Sequence, residues 1–352
     1  MPKHLLTPGP VPIPSFVMEA ISQPVIHHRT PEFRSFYQEL LSKLQYYFQT
    51  DSSTGTMIGS GTFGVECAIY SMFRPGDSVA VVDMGKFSNR WNLYAQLCSL
   101  KVHPLELAWG KAPNTQEIVA FVAQHSPKGI VLTHSETSTG TCLDLEEIAW
   151  QLRKAHPDLL IVVDAITSVG AQPYYHDAWG IDCSLAASQK ALFNPTGLVA
   201  FALSERAKNA LVPTDSADFR NFYNYLASAQ TGDYPFTAPV NLLYGLNAAL
   251  QHIEEVGLPA LWRKTHLHAQ TFRKALEEMG GVVRSEFPSE TLTAFHFPDK
   301  DNESLRQDLW AQGFELAGGQ GSWKNHVLRL SHMYPSDMEV LESLISTLRA
   351  MV

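Results

Sequence analysis

Lys190 lies in "AASQKALFNPTG", directly after a run of small residues and ahead of a Pro-Thr-Gly turn. A primary amine on a long stem loses its proton in a partly dry cleft and can then attack a carbonyl carbon to give a Schiff base. Asp164, twenty-six residues earlier, closes the apolar run "LLIVVD". A carboxylate buried there without a partner is costly, and ligands of open α/β sheets bind at the carboxyl ends of strands. The third group is the literal G-x-G-x-x-G of residues 59–64, "GSGTFG", ahead of a helical segment. One reading is a dinucleotide turn, with Asp83, nineteen residues past Gly64, as the ribose acid. Against it, the strand before the glycines reads as only Thr56, Met57 and Ile58. A second reading is a single phosphate at a helix N-terminus, met by the N–H groups of Gly61 and Thr62 and the hydroxyls of Ser60 and Thr62. A third is a plain turn with Ser60 or Thr62 as helix cap.

One cofactor unites the three groups. Pyridoxal phosphate offers an aldehyde to a lysine, a pyridine nitrogen to an acid and a phosphate to an anion cradle. The segments "GSGTFGVECA", "HSETSTGT", "VVDAITSVGAQP", "WGIDCSLAASQKAL" and "VLRLSHM" resemble, in order and spacing, class V aminotransferases of the alanine:glyoxylate and serine:pyruvate type. The opening "LLTPGP" and the "HHRTPEF" segment extend the resemblance over nearly the whole chain.

The resemblance implies a role for each of several residues. Ser60, Gly61, Thr62 and Gln189 would hold the phosphate. Lys190 would bind the aldehyde and act as general base, Asp164 would pair with the ring nitrogen, and Thr137 would meet the phenolic oxygen side. Phe87 stands where the family places a ring-stacking aromatic, often tryptophan, and Arg329 would clamp the substrate α-carboxylate. Tyr234 and Thr237 of "DYPFTAP" would reach the phosphate of the neighbouring subunit's cofactor, so that a homodimer shares its active sites. From the residues alone, Arg329 alternates with Leu328 and Leu330 and reads as a solvent-facing arginine, while Tyr234 and Thr237 read as loop surface. Asp83 is then a structural strand-end acid.

The implied activity is amino-group transfer from a small L-amino acid, alanine or serine, to a 2-oxo acid, glyoxylate or pyruvate, by double displacement. Phosphoserine, 2-aminoethylphosphonate and ureidoglycine are alternative donors. A cysteine desulfurase or lyase is a weaker alternative: Cys67, Cys98, Cys142 and Cys183 all precede the C-terminal part, and Gln189 stands where desulfurases usually have histidine. A binding protein without turnover would have little need of Arg329, and a dehydrogenase would leave Asp164 and Lys190 without joint explanation.

The elements that must position these groups can be read as well. Short apolar runs at 78–83, 129–134, 159–164, 183–188 and 197–203, most of them separated by helix-length segments, predict an α/β fold. The family's version is fold type I: a mostly parallel mixed sheet with helices on both faces and a smaller C-terminal α+β domain. The expected division is an arm over 1–15, a large cofactor-binding domain over 16–238, and a connecting helix with the small domain over 239–352. Helices are expected at 31–49, 65–73, 89–100, 239–257, onward to 279, and from 335 to the end. A net charge of −9 without like-charge runs argues against nucleic acid and polybasic membrane patches. Widely spaced cysteines suggest neither a zinc site nor disulfides, and a cytoplasmic location is expected.

Overall fold

The computed structural model describes residues 4–213 and 217–352, so the first three residues of the expected arm, and three of the large domain, lie outside it. A seven-stranded sheet organises the chain, in the spatial order Ser53–Gly59, Gly197–Leu203, Cys183–Ala187, Leu160–Asp164, Gly129–Thr133, Ser78–Asp83, Lys101–Glu106. The five strands from Cys183–Ala187 to Lys101–Glu106 run parallel, and Gly197–Leu203 pairs antiparallel with both of its neighbours. Central strands such as Gly129–Thr133 and Leu160–Asp164 are buried at every position. That explains why they read as unbroken apolar runs rather than alternating ones.

Two strands differ from expectation. Ser53–Gly59 has seven residues, not three, because Ser53, Thr54 and Gly55 extend it against Leu203, Ala202 and Phe201. Lys101–Glu106 was not anticipated; it contains Pro104, which an edge strand tolerates because one side of its ladder is unpaired.

Helices cover the sheet. Gly61–Met72, Lys86–Leu97, Thr115–His125 and Leu145–Ala155 follow successive strands. Pro31–Phe48 starts with Thr30, whose hydroxyl accepts from the Phe33 N–H, and ends at Gln49 in the left-handed conformation. The N-terminal "TPGPVPIP" carries no helix. Val240–Val256 and Leu258–Glu278 meet at Gly257, whose φ of 82° makes the corner.

A second, antiparallel sheet orders Val282–Val283, Leu292–His296, Leu328–Ser331 and Ala317–Gly318. Its core holds Phe272, Leu276, Phe295, Leu309, Leu344 and Leu348. Leu261 and Trp262 belong instead to the core of the large sheet, as do Leu243 and Leu250. Side-chain packing therefore divides within the Leu258–Glu278 helix rather than at the 238/239 step. The arm is tied to the small unit: His4–Leu5 pairs in parallel with Phe314–Glu315, and Leu6 is buried in the second core. No helix among the described residues is long and apolar enough to cross a membrane.

Candidate active site

Asp83, Thr133, Asp164 and Ala187 end four parallel strands at one edge of the sheet. One cavity opens at that edge. It is lined by Ser60, Gly61, Thr62, Phe87, Thr137, Asp164, Gln189 and Lys190, together with Gly9, Arg90, Thr133, Ser135, Ile166 and Thr167. Eight of the eleven residues expected at the site thus share it.

Lys190 is held by a tight turn leaving the Cys183–Ala187 strand. Its N–H donates to Ala187 O, its carbonyl accepts from Phe193 N, and Asn194 N donates back to Ser188 O. The Nζ donates to the carbonyl of Pro8, so the N-terminal arm lies over the amine. Burial, then the nearby Arg329 charge, pull its pKa down to about 8, against the attraction of Asp164. A neutral amine is therefore accessible near physiological pH.

Asp164 is shifted the other way. Burial raises its carboxyl to about 6, and the Glu136 charge adds to this, while a hydrogen bond from Ile166 N at 3.1 Å opposes it. Holding the charge there costs on the order of 3 kcal/mol. The fully buried Leu160, Ile161, Val162 and Val163 of the same strand each contribute roughly 2 kcal/mol, so the strand forms in spite of its last residue.

The glycine segment brings unspent hydrogen-bond donors to the cavity. Gly61–Met72 is the helix, and Ser60 occupies its N-cap position without making a side-chain cap bond. Its hydroxyl is thus not spent on the helix. The Gly61 and Thr62 N–H groups have no intrahelical partner, as at any helix start. A Cβ at Gly61 would come within 2.7 Å of Ile166 Cδ1, so a larger residue there would have to displace the end of the Ile166 side chain beside the Asp164 turn. Gln189 also lines the cavity; its buried carboxamide oxygen, an acceptor, has no hydrogen-bond partner among the described residues, so any bond to an anion would have to come from its amide N–H groups. The dinucleotide reading fails on topology, for Ser53–Gly59 is an antiparallel edge strand, not the central parallel strand such a turn requires. Asp83 instead accepts from the amides of Asn89 at 2.5 Å and Asn92 at 2.9 Å, tying its strand to the following helix.

Arg329 is buried, not solvent-facing. The face of the small sheet opposite its apolar core is covered by the loop after Gly129–Thr133. Nε and Nη2 donate to Gly318 O at 3.0 and 2.8 Å, and Nη1 donates to Thr137 O at 3.0 Å. Burial lowers its pKa to about 10, still far above neutral, so it remains a cation. It borders the cavity through Thr137. The Thr137 hydroxyl lies 3.1 Å from that of Thr167, which donates to Ser135 O at 2.8 Å.

Two expected residues lie away from the cavity. Tyr234 is sealed inside its own protomer, its ring edge-on to Tyr37 and Tyr225 at 5.5 and 5.7 Å, with its hydroxyl buried. Its phenol is therefore not presented to a neighbouring chain. Thr237, three residues on, is exposed.

Sequence reasoning missed Arg90, which lies three residues after Phe87 on the same helix and so on the same face. It also gave no role to Glu136. That carboxylate is wholly buried and accepts from the N–H groups of Phe87, Ser88 and Ser138. It caps the helix that carries Phe87 and Arg90.

Residues 14–344 match the family described as aminotransferase class V. The chain belongs to that family, and is a pyridoxal-phosphate-dependent transaminase. Among relatives, a serine–glyoxylate aminotransferase of Arabidopsis thaliana is 32% identical over 94% of this chain and 85% of its own. A Synechococcus protein named as the small subunit of a soluble hydrogenase is 31% identical over 99% and 92%. The solved alanine–glyoxylate aminotransferase of Nostoc superposes with a TM-score of 0.93 at 30% identity, covering 99% of this chain and 95% of that one.

Proposed function

We propose that this transaminase moves the amino group of a small L-amino acid, alanine or serine, to glyoxylate, with pyruvate as the alternative acceptor, and that the cavity around Lys190 is where it does so. The observation that carries the reading is the pairing of a lysine lowered to about 8 with a buried acid raised to about 6 in one cavity. Such opposed shifts are the mark of groups poised to exchange protons and hold a cation. The donor and acceptor follow from the relatives named for serine, alanine and glyoxylate.

When bound, pyridoxal phosphate supplies an electron sink that weakens the α-C–H bond of an amino acid. The chain's own groups do the rest. Asp164, ionised above about pH 6, would hold a positive charge on the cofactor's ring nitrogen. Ser60, Gly61, Thr62 and Gln189 would hold its phosphate, Phe87 its ring and Thr137 its phenolic oxygen. Arg329 binds the carboxylate common to donor and acceptor, so one site serves both half-reactions. The neutral Lys190 amine would take the substrate's α-proton and, as the ammonium so formed, give it back to the carbon that was the aldehyde. The cavity lining contains no cysteine, and burial raises the Cys142 thiol to about 11, which disfavours a desulfurase.

We infer further that the protein works in the cytoplasm as a homodimer, with exposed Thr237 turned to the neighbouring site and Tyr234 supporting its loop from within. The test is an absorption spectrum of the protein with added pyridoxal phosphate, before and after a panel of amino acids, with Lys190→Ala as control. A visible band that L-serine or L-alanine bleaches, and that glyoxylate restores, is the expected result. A band that no amino acid perturbs would overturn the proposal.

A further inference from the structure

We infer that Arg90 is a positioning residue of the anion cradle, fixing both the Thr62 hydroxyl and the Phe87 ring and supplying the cradle's positive charge. The inference rests on the cavity's being the cofactor site. Arg90 Nη1 donates to Thr62 Oγ1 at 2.7 Å. A guanidinium can only donate, and a hydroxyl has one hydrogen and two lone pairs. Thr62 is therefore the acceptor in this pair, and its hydrogen must point elsewhere. Thr62 lines the cavity at the start of the Gly61–Met72 helix, beside the unpaired N–H groups of that helix start. A hydroxyl that accepts from a cation is a better donor to an anion on its other side.

The same guanidinium lies 4.8 Å from the centre of the Phe87 ring. Arg90 thus spans the two walls, one built from the first turn of Gly61–Met72 and the other from the first turn of Lys86–Leu97. Among the described residues it has no carboxylate within ion-pair distance, unlike Arg34, Arg153, Arg206 and Arg306. Its charge is left for a ligand. A dianion at the helix start is the group that the combined hydroxyl, N–H donors and cation fit best.

The test uses apoprotein of the full chain, wild type and the variants Arg90→Gln, Arg90→Lys, Thr62→Val and the Arg90→Gln/Thr62→Val double variant. Each is titrated with pyridoxal phosphate, with pyridoxal, which lacks the phosphate, and with inorganic phosphate as competitor. Arg90→Gln should weaken pyridoxal phosphate and inorganic phosphate by similar factors, about ten- to a hundredfold, and pyridoxal by much less. Arg90→Lys, keeping the charge, should recover part of the loss, which a mere folding defect would not allow. The double variant should lose less than the product of the two single losses, since both remove one linked contact.

Equal weakening of pyridoxal and pyridoxal phosphate would overturn the inference. So would unchanged cofactor affinity with a raised KM for acidic donors alone, which would make Arg90 a substrate residue. Wild type that takes up no pyridoxal phosphate at this cavity would overturn the site reading itself, a result distinct from either.

Discussion

Asp164 and Asp182 are both buried acids on neighbouring parallel strands, yet they are treated in opposite ways. Asp182 stands just before Cys183–Ala187, at the amino edge of the sheet, and is fully buried. It accepts from Arg153 and Arg206 at 2.7 Å each, from Ser204 Oγ at 2.7 Å and from Ile161 N at 2.9 Å. Asp164, at the carboxyl edge, has one backbone donor at 3.1 Å, and Lys190 and Glu136 as its charged neighbours of opposite sign. The first acid is neutralised by the protein, and the second is left for something to neutralise it. A sheet can therefore use the same side chain as a rivet at one edge and as a tool at the other.

Substitutions should separate these roles. The largest effect is expected for Lys190→Ala, which removes the proton carrier and should lower kcat on the order of 10⁴-fold, measured by single-turnover absorbance. Asp164→Asn should cost roughly 10² to 10³-fold in kcat while stabilising the apoprotein at neutral pH by about 3 kcal/mol. Because the folded carboxyl sits near 6, above its ordinary 3.8, the gain should be complete above pH 6 and vanish below about pH 4. Asp182→Asn should do the reverse: turnover changes little in the folded fraction, but denaturant unfolding shows a loss of about 3 kcal/mol. The same sign of stability change for both variants would break the comparison.

Arg329→Lys should lower kcat/KM for donor and acceptor alike by roughly ten- to a hundredfold. A loss confined to one substrate would mean that the two do not share a carboxylate clamp. An effect of similar size is expected from pH. The rate at which apoprotein captures pyridoxal phosphate should climb about tenfold per unit up to pH 8 and then level, as Lys190 loses its proton. A flat profile between pH 6 and 8 would place the amine's pKa elsewhere.

Much of this was legible beforehand, for reasons that differ by region. Strands buried on both faces, such as Leu160–Asp164, announce themselves as apolar runs, and Asp164 and Lys190 stand out as polar groups at their ends. Arg329 was ambiguous because alternation tells which face a residue occupies, not what covers that face; the answer lay in a loop nearly two hundred residues away. The strand Ser53–Gly59 reads short in the sequence because Ser53, Thr54 and Gly55 interrupt the apolar run by which a buried strand is recognised, although threonine itself favours strands. Tyr234 could not be placed from sequence, since its burial depends on Tyr37 and Tyr225 meeting it from separate helices. Arg90 was within reach, and helical spacing from Phe87 would have found it.

The arm that lies over Lys190 has one more consequence. His4–Leu5 finds its partner strand in Phe314–Glu315, close to the other end of the chain. Val11 N donates to Gln189 O, so the arm is also anchored beside the amine itself. Pro8 thus sits on a strap fixed to both units, and one short segment joins the two cores across Lys190.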